Sequence, residues 1–208
     1  MDGVFMSKLI KNLWSWVLVV CLFLTGILLA DKLWLHENVI RLRVVASSDS
    51  ECDQENKLLV RDAVNDYLKA KMKNTDSVSE ARTFLSSQLD ALTEVATAVL
   101  CANGCHDTVT VRLTKEATQS RTYDTFRLPS GVYETLRIDI GAAEGQNWWC
   151  VVFPSLCIPA TTEGFRTAAV GAGFDDGLTE SLSQTEGFEV RFFLLDCLGK
   201  LEEFLFSG

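Results

Sequence analysis

The pattern of apolar and polar positions changes period several times along the chain, and each change marks an element. Residues 13–30 form an apolar run that contains Ser15 and Thr25 but no charge. As a helix, its 18 residues would be about 27 Å long, close to the hydrocarbon thickness of a bilayer. Lys8 and Lys11 precede the run and Asp31 follows it, a bias that keeps the N-terminus cytoplasmic and sends the rest outside. Trp14 and Trp16 sit at one edge of it and Trp34 beyond the other, where interfacial aromatics sit. Residues 1–35 therefore read as a transmembrane anchor or a signal peptide. The run is longer than the usual signal core, and residues 26–30 (GILLA) give no clean small-x-small cleavage site.

Alternation follows. Residues 38–46 (NVIRLRVVA) place Arg41 and Arg43 between Leu42, Val44 and their neighbours, a strand with one solvated face. The segment 47–50 (SSDS) is a turn and helix N-cap, with Glu51 and Asp53 in the first turn. A helix then runs to about Lys73, with Val60, Ala63, Val64, Tyr67, Leu68 and Met72 on one face. Ser77 and Glu80 form a capping box for a second helix over 78–102, striped by Leu85, Leu89, Leu92, Ala96 and Val99. Residues 107–114 and 132–140 alternate as strands, 123–128 reads as a short strand, and 148–153 (WWCVVF) is a continuous apolar strand, as expected for one buried on both faces or lying under a cover. Residues 161–188 are rich in Gly, Thr, Ser and acids and read as a flexible linker or loop. The final segment, 189–208, carries an amphipathic helix striped by Val190, Leu194, Cys197, Leu201, Phe204 and Leu205.

Consecutive helices followed by consecutive strands predict an α+β fold: a mostly antiparallel sheet covered by helices, with the N-terminal apolar helix and the C-terminal amphipathic helix as additions. The expected division is 1–35 anchor or signal, 36–160 extracytoplasmic α+β domain, 161–188 linker and 189–208 terminal helix. Hydrophobic residues make up 48% of the chain, enough for a core even with the N-terminal run set aside.

The formal net charge is −9, which argues against nucleic acid or anionic lipid headgroups as partners. Of seven cysteines, Cys21 lies in the apolar run; an exported domain can pair the other six in 15 ways, so sequence does not assign them. Cys150 and Cys157 are one candidate pair. A bridge there would constrain the unfolded chain by roughly 2.5 kcal/mol in the loop-entropy model; as buried thiols the two are simply small hydrophobes. Cys101 and Cys105 are a second candidate pair, or two inert thiols at a helix end.

Catalytic and metal motifs fare poorly. Cys101, Cys105 and His106 offer three zinc ligands but no second ligand pair follows, so no metal site is expected. His106 would serve Cys150 as a base only through a coincidence of folding. The glycines at 141–145 precede a strand rather than a helix, so they mark a hairpin turn and not a phosphate loop. No cofactor is expected. Trp148 and Trp149 are the informative residues. On a strand they point to opposite faces; either both enter the core, or one is a docking anchor. Phe153, Pro154 and Leu156 would extend that anchor as an apolar loop.

Residues 38–49 (NVIRLRVVASSD), with Asp53, Gln54 and 61–64 (RDAV), resemble the N-terminal signature of the stage II sporulation protein R family. Residues 129–134 (PSGVYE) leading to 147–157 (NWWCVVFPSLC) resemble its second signature. Ser155 stands where a proline is expected, and Ala143 where a glycine is usual in the turn. The resemblance implies an exported intercellular signalling protein of sporulation, not an enzyme. Such a protein is made in the forespore, reaches the space between forespore and mother cell, and activates a membrane-embedded aspartic protease in the mother-cell membrane. The protease then matures the mother-cell sigma factor precursor. The alternatives are an extracytoplasmic thiol-dependent hydrolase or oxidoreductase, or a glycan-binding module using the tryptophan pair.

Overall fold

The computed structural model describes residues 2–72, 75–123, 126–154, 162–183 and 190–206. Helix α1 (Asp2–Asn38) leads directly into strand β1 (Ile40–Val45). Ile40, Leu42 and Val44 are buried on one face of β1, and Arg41 and Arg43 stand on the other. Helix α2 (Glu51–Lys71) starts where the sequence sets it: the Ser50 hydroxyl accepts the Asp53 amide at 3.1 Å, and Glu51 and Asp53 occupy the positive end of the helix dipole.

The helix expected over 78–102 is two helices, α3 (Val78–Ser87) and α4 (Leu89–Ala102). Ser87 Oγ donates to the Phe84 carbonyl at 2.7 Å, and the Gln88 amide closes α3 on Leu85. Serine competition for the backbone ends the first helix without a glycine or proline. Of the expected stripe, Leu85, Leu92 and Ala96 are fully buried, whereas Leu89 and Val99 are partly buried against the core and Leu100, outside the stripe, is fully buried.

Strands β2 (Val109–Thr118), β5 (Gly131–Ile140) and β6 (Asn147–Phe153) join β1 in a sheet of order β2-β5-β1-β6, while β3 (Arg121–Thr122) and β4 (Arg127–Leu128) form a small separate hairpin. Two of the three pairings are antiparallel; β1 and β5 run parallel. The fold is α+β, as expected. The apolar strand β6 is nevertheless an edge strand, not a central one. Its last four residues are buried, but Asn147 and Trp148 are exposed. Helices α2–α4 pack on one face of the sheet around Leu42, Val44, Leu136, Ile138 and Val152.

The other face carries a second core, and here the expected boundaries shift. Residues 161–188 were expected as a linker; within them α5 (Thr162–Gly171) and α6 (Asp176–Leu182) are helices that bury Ala169, Phe174, Leu178 and Leu182. Gly173, at φ 88°, ends α5: its amide bonds to Val170 O and the next amide to Ala169 O, a Schellman closure. Asp175 Oδ1 then caps α6 by accepting the Leu178 amide at 2.9 Å. The expected break at 35/36 falls inside α1. Leu35 is fully buried in this second core, and Trp34 meets Phe174 edge-on at 4.4 Å between centroids.

Helix α7 (Val190–Phe206) forms over the expected segment; of its expected stripe, the side chains of Val190 and Leu205 lie outside the described residues. It buries Leu195, Asp196 and Gly199, while Leu194, Cys197, Leu201 and Phe204 of the expected apolar stripe are exposed.

Candidate functional site

The turn between β5 and β6 is clamped to the loop that follows β1. The Gly145 amide donates to Ala46 O at 3.0 Å, Glu144 to Ser47 O at 3.2 Å, and Gln146 to Asp49 Oδ1 at 2.8 Å. The backbones approach so closely that a Cβ on Gly145 would lie 2.2 Å from Ser48 O. Ala143 holds φ 56°, the left-handed region that favours glycine. Helix α2 braces the junction from below. Gln54 Nε2 donates to Ser48 O at 2.8 Å, and Lys57 Nζ to Gln146 O at 3.2 Å and to Gln54 Oε1. Burial pushes the Lys57 ammonium below its ordinary pKa. Hydrogen bonds from the Ser48 and Ser50 hydroxyls hold the Asp53 carboxyl below its ordinary value.

This clamp delivers the two tryptophans. Trp148 pairs with Val44 and Trp149 with Arg43 across β1, so they point to opposite faces, as the alternation requires. Neither enters a core. Trp148, 38% exposed, lies on the helix side beneath Arg61 of α2, whose guanidinium carbon is 4.4 Å from the ring centroid. Trp149 is half-buried on the opposite side, with Arg41 and Arg43 at 4.6 and 5.0 Å from its centroid.

Trp149 ends a row that crosses all four strands: Arg112, Arg137, Arg43 and Trp149 are register partners in turn. Like charges placed opposite one another are destabilising; two carboxylates offset that here. Glu116 bonds Arg43 and Arg137 at 3.0 Å each, and Asp139 bonds Arg137 at 2.8 Å and Arg112 at 2.6 Å. Burial opposes the charge on Arg137, but Asp139 and Glu116 outweigh it and raise its pKa. Arg41 is different. It is 1% exposed, donates to Thr118 Oγ1 and to Tyr123 OH, and forms no ion pair with a carboxylate among the described residues. The faces of Trp149 and Tyr133 supply the negative potential instead. Trp149 is thus a wall for a buried cation, and Trp148 is the freer surface. Sequence reasoning missed the arginine partners; the alternation of Arg41 and Arg43 with apolar residues, opposite the tryptophans, was the available signal.

The other expected site residues fall as follows. Phe153 is buried in the helix-side core rather than exposed, because the β1–β6 register shifts between Ile40 and Arg41 and the bulge re-aims it. Pro154, joined to it by a cis peptide, is also buried. Leu156, Ser155 and Cys157 lie outside the described residues. Cys150 is buried and disulfide-bonded. Cys101 and Cys105 are both free thiols; Cys101 is exposed on the last turn of α4, whereas Cys105 turns toward the helix-side core. The imidazole beside a thiol is therefore at Cys101, where His106 Nδ1 is 3.8 Å from Sγ, and not at Cys150. Among the described residues no cluster of three or more metal-ligating side chains occurs.

With this geometry in place, comparison with known proteins is direct. The family model described as Stage II sporulation protein R (spore_II_R) matches residues 36–163. Stage II sporulation protein R of Bacillus subtilis (strain 168) is 36% identical over 183 residues, covering 79% of this chain and 82% of that protein. No solved structure matches. The matched span contains the clamp, the arginine row and both tryptophans, and the chain belongs to the stage II sporulation protein R family.

Proposed function

We propose that this protein is an exported intercellular signal of sporulation. It is made in the forespore and acts in the space between the two membranes. There it activates a membrane-embedded aspartic protease of the mother-cell membrane, which matures the mother-cell sigma factor precursor. The protein acts as a ligand: activation requires only that it bind the protease's active arrangement better than the inactive one. The carrying observation is the surface built where the two family signatures meet. Residues 46–54 and 141–149 lock together by backbone hydrogen bonds and present Trp148 and Arg61 at the edge of the sheet. A partly exposed tryptophan on so fixed a base suits an interface anchor. A disulfide from Cys150 to Cys157 would fix the chain just beyond it. Helix α1, whose residues 12–38 are long and apolar enough to cross a membrane, carries the domain as a membrane anchor. Its last turns belong to the folded domain, which supports an anchor that is retained.

The test is reconstitution. The full chain, the protease and the sigma precursor are expressed together in a non-sporulating host, and precursor cleavage is followed. Cleavage that depends on this chain is expected; none, with all three proteins present, overturns the reading.

A further inference from the structure

Helix α7 presents its apolar stripe to the outside. Phe193, Leu194, Cys197, Leu201 and Phe204 are all exposed, Phe204 at 76%. At the 100° per residue of an α-helix they fall within an arc of roughly 100°. Lys200, paired with Asp196 at 2.9 Å, borders the arc, and the five positions themselves carry no charge. The buried side is tied down firmly. Asp196 Oδ1 accepts the Ser130 amide at 2.9 Å, Ser130 Oγ donates to Asp196 O at 2.8 Å, and Gly199 lies so close that a Cβ would be 1.6 Å from Ser130 O. The outward stripe is therefore fixed by the docking of the helix.

The place of α7 says what covers the stripe. Lys32 Nζ of α1 donates to Leu198 O in the middle of α7 at 3.1 Å. Lys32 is two residues beyond the end of the apolar run at Ala30, a rise of about 3 Å. On α1 itself, Leu29 and Leu33 are exposed at the same level. An amphipathic helix on a bilayer sinks its apolar side about 5–10 Å into the headgroup boundary, and the Lys32 bond holds the middle of α7, at Leu198, close to that level. We propose that the exposed face of α7 lies in the lipid interface of the membrane that α1 crosses, so that the domain rests on the bilayer through two helices. The contact is apolar rather than electrostatic, because the chain is acidic. This inference rests on the reading of α1 as a membrane span.

Two native cysteines test both at once. Three single-label proteins are made in the full chain by changing the other free cysteines to Ser, with Cys150 and Cys157 kept. A bimane probe sits on Cys197 (α7), Cys21 (α1) or Cys101 (far side of the sheet). Each is reconstituted in phosphatidylcholine vesicles, with and without phosphatidylglycerol, and quenched with doxyl-labelled phosphatidylcholine or aqueous iodide. Lipid quenching is expected at Cys21 and Cys197 but not at Cys101, without dependence on phosphatidylglycerol. The double variant L201E/F204E should at least halve quenching at Cys197 and leave Cys21 unchanged. A Cys197 probe open to iodide, or shielded from both quenchers as under a second copy or another protein, overturns the α7 contact while quenching at Cys21 upholds the span. Quenching at Cys197 alone overturns the span, and with it the shared membrane, leaving α7 as a lipid contact without α1; quenching at neither site overturns both.

Discussion

Changing Trp148 to Ala separates an anchor from a scaffold residue. The side chain is 38% exposed, so of the 150–250 Å² that a tryptophan can bury about 100–150 Å² is covered here, a gross contribution of roughly 2.5–3.5 kcal/mol. The extended-chain reference overstates that sum. The stacking on Arg61, 4.4 Å from the centroid, adds only about 0.5–1 kcal/mol at so exposed a site. The expected loss of stability is about 2 kcal/mol, a fall of about 4–8 °C in Tm for a chain of this size. A protein with a stability of about 5–15 kcal/mol remains overwhelmingly folded after such a loss. If Trp148 anchors the protease, its removal costs at least about 2 kcal/mol of binding, roughly 30-fold in the amount of protein needed for half-maximal activation. The assay is precursor cleavage as expression of the chain is titrated, beside thermal melting of the same variant. A folded Trp148→Ala protein with the wild-type dose response refutes the anchor assignment. Trp149→Ala should reverse the balance, with the larger loss in stability, because Arg41 loses the ring that faces its buried charge.

Two further predictions concern stability. Ala143→Gly should stabilise the domain by about 0.5–1 kcal/mol, since the left-handed conformation costs a residue with a Cβ about 1–2 kcal/mol and the added freedom of the unfolded glycine returns part of it; an unchanged urea midpoint would refute this. For Asp196, burial opposes ionisation, but the Ser130 amide and Lys200 outweigh it and hold the carboxyl below its ordinary pKa. Its contribution is thus present above the unfolded value of 3.8 and is lost as pH falls through the lower folded value. Asp196→Asn should flatten the acid limb of the Tm–pH profile in that window, and an unaltered limb counts against the α7–β5 contact as the acid-sensitive one.

Much of this was legible wherever one period held over several turns. Strand β1, the cap of α2 and the stripe of α4 read directly from alternation and capping residues. Phe174, Leu178 and Leu182 also lie at helical spacing, but glycine, threonine and serine around them hid the signal. In α7 the period was plain and the face was not, because a stripe that suits a protein core suits a lipid surface equally well. The tryptophan pair showed its opposed directions, yet its partners are arginines on β1 and α2, and only the register of the folded sheet places them. The β-bulge that buries Phe153 leaves no mark in composition.

The same register relates the tryptophans to the membrane. Helix α1 ends against the start of β5, where His36 meets Tyr133 at 4.9 Å between centroids, and α7 is bonded to Ser130 beside it. Trp148 pairs with Val44, which pairs with Ile138, five residues further along β5. At about 3.3 Å per residue this places Trp148 roughly 17 Å along the strand from the α1 contact. Strand β1 runs the same way, away from α1 toward the clamp. If α1 crosses one membrane and α7 rests on its surface, the clamp and Trp148 occupy the remote end of the sheet. An anchor at that end is badly placed for transmembrane helices in its own bilayer. It is well placed for a protein facing it across a narrow gap, the arrangement that a signal passed from one membrane to the next demands.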